Sequence, residues 1–201
     1  RDVERSRGLG DVYKRQIYRH AWLDVTEDVH VDTYGTYITT PQVSAEAAQV
    51  AVVTTVKNSS PKKQYVTLLQ KVKDATGKVL AKSRSQRVVV EAGKAFDVKQ
   101  LLDLVQPKLW TPESPTLYTL ETSVKAGGST TDVYTSTFGI RAIAFDPNRG
   151  FLLNGKQVKL KGMCLHHDAG AMGVAVPLRS YERRLEILKA VSYTHLTLPT
   201  I

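Results

Sequence analysis

The chain has 201 residues, of which 42% are hydrophobic and 23% charged, a composition typical of a globular protein with one or two domains. Its single cysteine, Cys164, excludes an internal disulfide and a metal site built from several thiolates. The formal net charge is +9, but the lysines are scattered, and no apolar run could span a bilayer, so neither nucleic acid nor a membrane is an expected partner.

The two ends of the chain are predicted to be foreign to the natural protein. Residues 11–16 read DVYKRQ and residues 191–195 read VSYTH. DNA that can encode the first segment encodes the second when its reverse complement is read in a shifted frame. Such an inverted repeat resembles translated transposase-adapter sequence from sequencing libraries. We therefore expect residues 1–16 and 191–201 to be non-native tails around a natural segment.

The first part of the natural segment reads as short strands separated by turns. One strand is predicted at residues 17–23, with nothing nearby to pair with. A β-branched run at 50–56 ends at a turn cluster, and an alternating run at 65–73 leads into a hairpin turn at 74–77. Further strands are predicted at 78–83, 87–90, 96–98, 117–124 and 132–138, the last two joined by Gly127-Gly128. About seven strands at this spacing predict an immunoglobulin-like β-sandwich.

A second unit is predicted to begin near residue 143. Asn154-Gly155 lies between two apolar runs and predicts a tight hairpin. A strand at 161–165 and a polar loop at 166–177 follow, and then a helix capped by Ser180. Tyr181, Leu185 and Leu188 recur at helical spacing behind that cap. Strand, loop and helix in this order form the first unit of an α/β barrel or of a doubly wound sheet.

Four segments of the chain together resemble family 2 glycoside hydrolases. They are IYRHAWL at 17–23, PKLWTPESPTLY at 107–118, FGIR at 138–141, and GFLLNGK with LKGM between 150 and 163. The resemblance implies a jelly-roll domain, an immunoglobulin-like sandwich and a (β/α)₈ barrel in succession. The expected fold is thus mainly β, with an immunoglobulin-like β-sandwich followed by the first β/α unit of a truncated (β/α)₈ barrel. The expected divisions are a tail at 1–16, the last jelly-roll strand at 17–27, the sandwich at 28–141, the start of the catalytic barrel at 142–190, and a tail at 191–201.

The resemblance also implies retaining hydrolysis of β-glycosides, which needs two carboxylates about 5–5.5 Å apart. In the family both are glutamates on later barrel strands, so no catalytic residue is expected in this chain. Glu182 and Glu186 are predicted to lie on a helix, and the helices of such barrels lie outside, away from the active face.

The loop at residues 164–168 is the candidate substrate-binding site, because active sites of barrels lie at the carboxyl ends of their strands. The β-galactosidase pattern reads Asn-Arg-His-Glu where this chain has Cys164-Leu165-His166-His167. His166 matches the sugar-contacting histidine of the family, whereas Leu165 replaces the arginine. His167 and Asp168 are further candidates, for which a structural role is favoured. A metal site is not expected, because two adjacent side chains rarely chelate one ion and no third ligand lies near.

The expected substrate is a terminal β-galactoside or a related carbohydrate. A β-glucuronidase or β-mannosidase of the same family and a non-catalytic immunoglobulin-like binding module are the alternatives. No cofactor is identified, although the resemblance leaves open a monovalent or divalent cation and a homo-oligomeric state in the complete enzyme. The compartment stays undetermined between bacterial periplasm and cytoplasm. Trp22 and Trp110 could stack on sugars, but a packing role is favoured for both.

Overall fold

The computed structural model describes residues 21–160, 169 and 173–190. Its strands are β1 (Val29–Val43), β2 (Ala47–Asn58), β3 (Gln64–Lys73), β4 (Val79–Arg84), β5 (Val88–Val90), β6 (Ala95–Val105), β7 (Tyr118–Ala126), β8 (Ser129–Phe138), β9 (Ile143–Asp146), β10 (Gly150–Leu153) and β11 (Lys156–Gln157). The helix is α1 (Leu178–Ala190). Residues 25–158 form one compact unit, and the helix belongs to a second. The expectation of a mainly β protein is confirmed.

Strands β1 to β8 form a sandwich of two antiparallel sheets. One sheet has the order β1-β2-β6, and the other has the order β4-β3-β7-β8, with β5 paired to β3. Side chains alternate between the two faces of each strand, so every second residue of β2, β3, β6 and β7 points inward. The inward valines and leucines fill the space between the sheets and supply the hydrophobic driving force for folding.

Strand β1 is the longest element that the sequence did not predict. Its register against β2 shifts between Val31 and Thr36, so the alternation of inward residues is interrupted there. Tyr34 has a φ of 55° at this bulge. A Cβ on Gly35 would lie 2.7 Å from the carbonyl oxygen of Asp32 and 2.9 Å from that of Thr55, which only glycine avoids. The bulge therefore hides the period-two pattern by which a strand is recognised.

The predicted hairpin turns are confirmed. Between β3 and β4, the Gly77 amide donates to the Asp74 carbonyl over 3.0 Å, and the Asp74 carboxylate accepts from the Thr76 amide over 2.9 Å. Between β7 and β8, Gly127 and Gly128 have φ values of 58° and 87°, as a two-residue hairpin turn requires. Short-range turn chemistry thus explains the pairing of β3 with β4 and of β7 with β8, whereas β3 pairs with β7 over a long separation in sequence.

Two predicted boundaries were wrong. Residues 21–23, the described part of the strand expected at 17–23, are not in a strand. The helix begins at Leu178, so Ser180 lies inside its first turn and does not cap it. The amide of Ser180 instead donates to the Pro177 carbonyl over 2.9 Å. No helix in the described part of the chain is long and apolar enough to cross a membrane.

Candidate functional site

The candidate sugar-binding residues lie outside the described part of the chain. They are His166, His167 and Asp168, and Cys164 also lies outside the described part. The described residue that follows them is Ala169, whose amide donates to the Gly173 carbonyl over 3.0 Å. Gly173 has a φ of 60°, in the left-handed region that favours glycine. The assignment of the three residues to substrate binding therefore stays a prediction.

The hairpin that leads toward this loop has the predicted turn. Strands β9, β10 and β11 form a small antiparallel sheet, and Asn154 and Gly155 connect the last two with φ values of 50° and 76°. At the preceding turn, Asp146 Oδ1 accepts from the amides of Arg149 and Asn148, each over 2.9 Å. These backbone hydrogen bonds lower the pKa of the Asp146 carboxyl. The turn at Asp146 is thus closed by local hydrogen bonds, and the turn at Asn154 by two residues with positive φ.

The side chain of Asn154 ties this hairpin to the sandwich. Its Nδ2 donates to the carbonyl oxygen of Trp110 over 3.0 Å. Its Oδ1 accepts from the Ala142 amide over 2.9 Å, and its own amide donates to the Ala142 carbonyl over 2.8 Å. One residue therefore satisfies main-chain groups of the segment before β9 and of the sandwich. The sequence indicated a turn at Asn154 but carried no signal for its contact with a residue 44 positions away.

Trp110 packs at the same junction. Its amide donates to the Ile140 carbonyl over 2.8 Å, and the Arg141 guanidinium lies 5.1 Å from its ring centroid. A Cβ on Gly139 would lie 3.0 Å from each of three Trp110 side-chain atoms, so the indole would have to shift to admit a larger residue there. Trp110 is half-buried, in agreement with a packing role over sugar stacking. Trp22 is largely exposed, and its role stays a prediction.

The two glutamates of α1 are engaged by an arginine. Arg179 donates to Glu186 from Nη1 over 2.7 Å and from Nη2 over 3.0 Å, and Nη1 also lies 3.3 Å from Glu182 Oε2. This pairing lowers the pKa of Glu186. A general acid for glycoside hydrolysis requires a raised pKa instead. The arrangement is that of a helix-surface ion pair.

Several carboxyl groups in the described part of the chain have a lowered pKa. They are Glu46, Asp74, Glu121, Asp146 and Glu186. Each of them is stabilised as a carboxylate by hydrogen bonds. Within the described ranges, no group of three or more His, Cys, Asp or Glu side chains could hold a metal ion.

Known proteins match the chain across the sandwich and beyond it. The family model described as Glycosyl hydrolases family 2 matches residues 29–141, more than half of the chain. A β-galactosidase of Bacteroides ovatus is 43% identical over 173 residues, which cover 86% of this chain and 20% of that protein. A β-glucuronidase of Bacteroides fragilis is 31% identical over 180 residues, which cover 86% of this chain and 25% of that protein.

Solved structures agree with these matches. The structure of a glycosyl hydrolase family 2 member from Bacteroides cellulosilyticus has a TM-score of 0.76 at 34% identity, and the match covers 83% of this chain and 21% of that one. The chain thus spans only 20% of the length of its relative from B. ovatus. Because the family model covers nearly all of the two-sheet sandwich, this chain belongs to family 2 of the glycosyl hydrolases.

Proposed function

We propose that this chain is a segment of a retaining exo-β-glycosidase that hydrolyses terminal β-galactosides. The observation that carries the proposal is the 43% identity to a relative named as a β-galactosidase, over 86% of this chain. The segment comprises the sandwich and the start of the catalytic barrel. Its substrate would be a β-galactoside or a related carbohydrate.

The chemistry would come from residues beyond this segment. Retaining hydrolysis needs a nucleophile and an acid/base carboxyl group about 5–5.5 Å apart. Glu182 and Glu186 are unsuited to these roles, because Arg179 holds both in ion pairs on an exposed helix. We infer that the catalytic pair lies on later barrel strands and that the chain alone is inactive.

Within the segment, His166 is the residue proposed to contact the sugar. An imidazole N–H can donate a hydrogen bond to a sugar hydroxyl. If this bond tightens as the oxocarbenium-like transition state forms, its loss lowers kcat more than it weakens substrate binding. His167 and Asp168 are proposed to support the loop, because neighbouring side chains of an extended segment point in opposite directions.

A β-glucuronidase is the second candidate. The specific observation in its favour is the 31% identity to a relative named as a β-glucuronidase, over the same share of this chain. A glucuronidase would need basic side chains that bind the sugar carboxylate. A β-mannosidase is implied by the family resemblance alone. A non-catalytic binding module is disfavoured because the hairpin β9–β11, which resembles the start of the barrel, follows the sandwich directly.

The proposal is tested by comparing the purified chain with the complete gene product on a chromogenic β-galactoside. Hydrolysis by the complete protein and none by the chain above a mock preparation is the expected result. Activity of the chain itself would disprove the inferred location of the carboxylate pair. A complete protein that is folded but inactive on β-galactosides would disprove the proposed substrate.

The role of His166 is tested in the complete enzyme. His166→Ala should cost about 2–4 kcal/mol of transition-state stabilisation, as does loss of a preorganised donor. This corresponds to roughly 30- to 1000-fold in kcat/KM. His167→Ala is the matched variant and should alter thermal stability more than kcat. A loss of kcat/KM confined to His167→Ala would show that the two assignments are reversed.

A further inference from the structure

A layer of polar side chains divides the hydrophobic core of the sandwich. It consists of Thr54, Gln70, Gln100 and Thr122, which all point inward and are all buried. One apolar cluster, which includes Val56, Leu68 and Val124, lies on one side of this polar layer. A second cluster, which includes Val52, Val72 and Leu120, lies on the other side. Buried groups of this kind are costly unless they are hydrogen-bonded.

Two hydrogen bonds satisfy part of the polar layer. Gln70 Nε2 donates to Thr54 Oγ1 over 3.0 Å, which joins the two sheets across the core. Gln100 Nε2 on β6 donates to Ser83 Oγ on the edge strand β4 over 3.1 Å, which joins the two sheets a second time. Gln70 lies directly opposite Thr122 on β7 and opposite Ser83 on β4. The polar groups of the larger sheet therefore form one cross-strand row.

Three atoms of the polar layer have no hydrogen-bond partner in the described part of the chain. They are Gln70 Oε1, Gln100 Oε1 and Thr122 Oγ1. Gln70 is 0% exposed and Thr122 is 1% exposed, so bulk water does not reach either side chain. Three orphaned groups in one layer are more than a single local defect, since buried polar groups in native proteins are nearly always paired.

We propose that the polar layer is a binding site for internal water, held chiefly between Gln70 and Thr122. Their Cβ atoms, as directly opposed residues on one face of an antiparallel pair, are about 4.5–5.5 Å apart. A water molecule there can donate a proton to Gln70 Oε1 and accept one from the Thr122 hydroxyl. Its second proton is then available to a further acceptor. About three hydrogen bonds are the usual number for a buried water.

The bound water completes a network that joins the sheets in one alignment. The Gln70–Thr54 bond forms only when β3 faces β2 in the observed alignment, and it holds Gln70 in place beside the water. A slip of either sheet by two residues would place Gln70 or Thr122 against the apolar clusters. The polar layer thus favours a single packing of the two sheets, at the expense of apolar contact in the centre of the core.

The test replaces Thr122 by valine in the complete 201-residue chain. Thr122→Val removes the hydroxyl with little change of shape. If the hydroxyl binds water, Tm should fall by about 2–4 °C, as the loss of roughly one hydrogen bond implies for a chain of this size. If the hydroxyl is unpaired, its removal relieves a buried polar group and Tm should rise. The sign of the shift therefore distinguishes the two cases.

Oxygen-17 relaxation dispersion of water measures the bound molecule directly. Thr122→Val should lose the contribution of about one long-lived water, whereas Thr122→Ser, which keeps a hydroxyl, should retain it. Thr135→Val, at an exposed position on β8, is the matched control and should change neither the dispersion nor Tm beyond the range usual for a surface substitution. An unchanged dispersion in Thr122→Val, or a raised Tm, overturns the proposal.

Discussion

Replacing Asn154 by alanine is expected to loosen the hairpin β9–β11 from the sandwich. The substitution removes the bonds to Trp110 and to the Ala142 amide, which contribute about 1 kcal/mol each. It also places alanine at a φ of 50°, a left-handed conformation that costs alanine roughly 1 kcal/mol of backbone strain and costs asparagine much less. The expected loss is therefore about 3 kcal/mol in the local stability of the hairpin.

The assay is hydrogen exchange of the Ala142 amide, followed by NMR. That amide donates directly to Asn154 Oδ1, so it reports on the broken contact. A loss of about 3 kcal/mol corresponds to exchange on the order of 100-fold faster. Asn154→Gly keeps the turn conformation, so it should lose only the side-chain bonds and accelerate exchange by about 30-fold.

Two controls make the result interpretable. Asn148→Ala changes an exposed residue in the neighbouring turn and should leave the Ala142 amide protected. The Trp110 amide donates to Ile140 within the sandwich and should stay protected in every variant. If Ala142 exchanges at the same rate in Asn154→Ala as in the unsubstituted chain, the hairpin is held by other contacts and the reasoning is refuted.

Two further predictions concern the sandwich itself. Lys73 and Lys71 both donate to Glu121 and lower the pKa of its carboxyl group. The ion pairs therefore stabilise the folded chain at pH values above the unfolded pKa of about 4.3. This stabilisation is lost as the pH falls through the lower pKa of the folded state. In urea unfolding, Glu121→Gln should be about 0.5–1 kcal/mol less stable than the unsubstituted chain at pH 7 and equally stable near pH 2. The same loss of stability at both pH values would contradict the ion pair. Leu120→Ala should lower the free energy of unfolding by about 2–5 kcal/mol in thermal denaturation, because Leu120 is fully buried. Leu117→Ala, at a more exposed position, should lower it clearly less. Equal losses would refute the assigned core.

The sequence predicted the elements whose signals are local. Gly127-Gly128 and Asn154-Gly155 mark their hairpins because the residues at those turns need positive φ values. The alternation of Val66, Leu68 and Val72 identified β3 and its buried face. These features depend on neighbours within a few positions, which is the range over which a single sequence is informative.

The sequence failed where long-range contacts decide the structure. The bulge of β1 is accommodated by the approach of Thr55 to Gly35, a contact between two strands. Gln70 lies between apolar residues at an inward position, and its hydrogen-bond partner Thr54 is contributed by β2, a strand of the other sheet. Asn154 reaches Trp110 across 44 positions. The resemblance to a glycosidase family, in contrast, depended on the order of several short segments and needed no contact at all.

The complete gene product gives the most direct test of the proposed substrate. The measurement is kcat/KM on matched chromogenic β-galactoside and β-glucuronide substrates under identical conditions. A galactosidase site lacks the basic groups that bind a sugar carboxylate, so the β-galactoside should be preferred by a factor of about 100 or more. A preference for the β-glucuronide would contradict the proposed substrate while leaving the family assignment intact, and hydrolysis of neither would contradict the proposal that this sandwich belongs to an active exo-β-glycosidase.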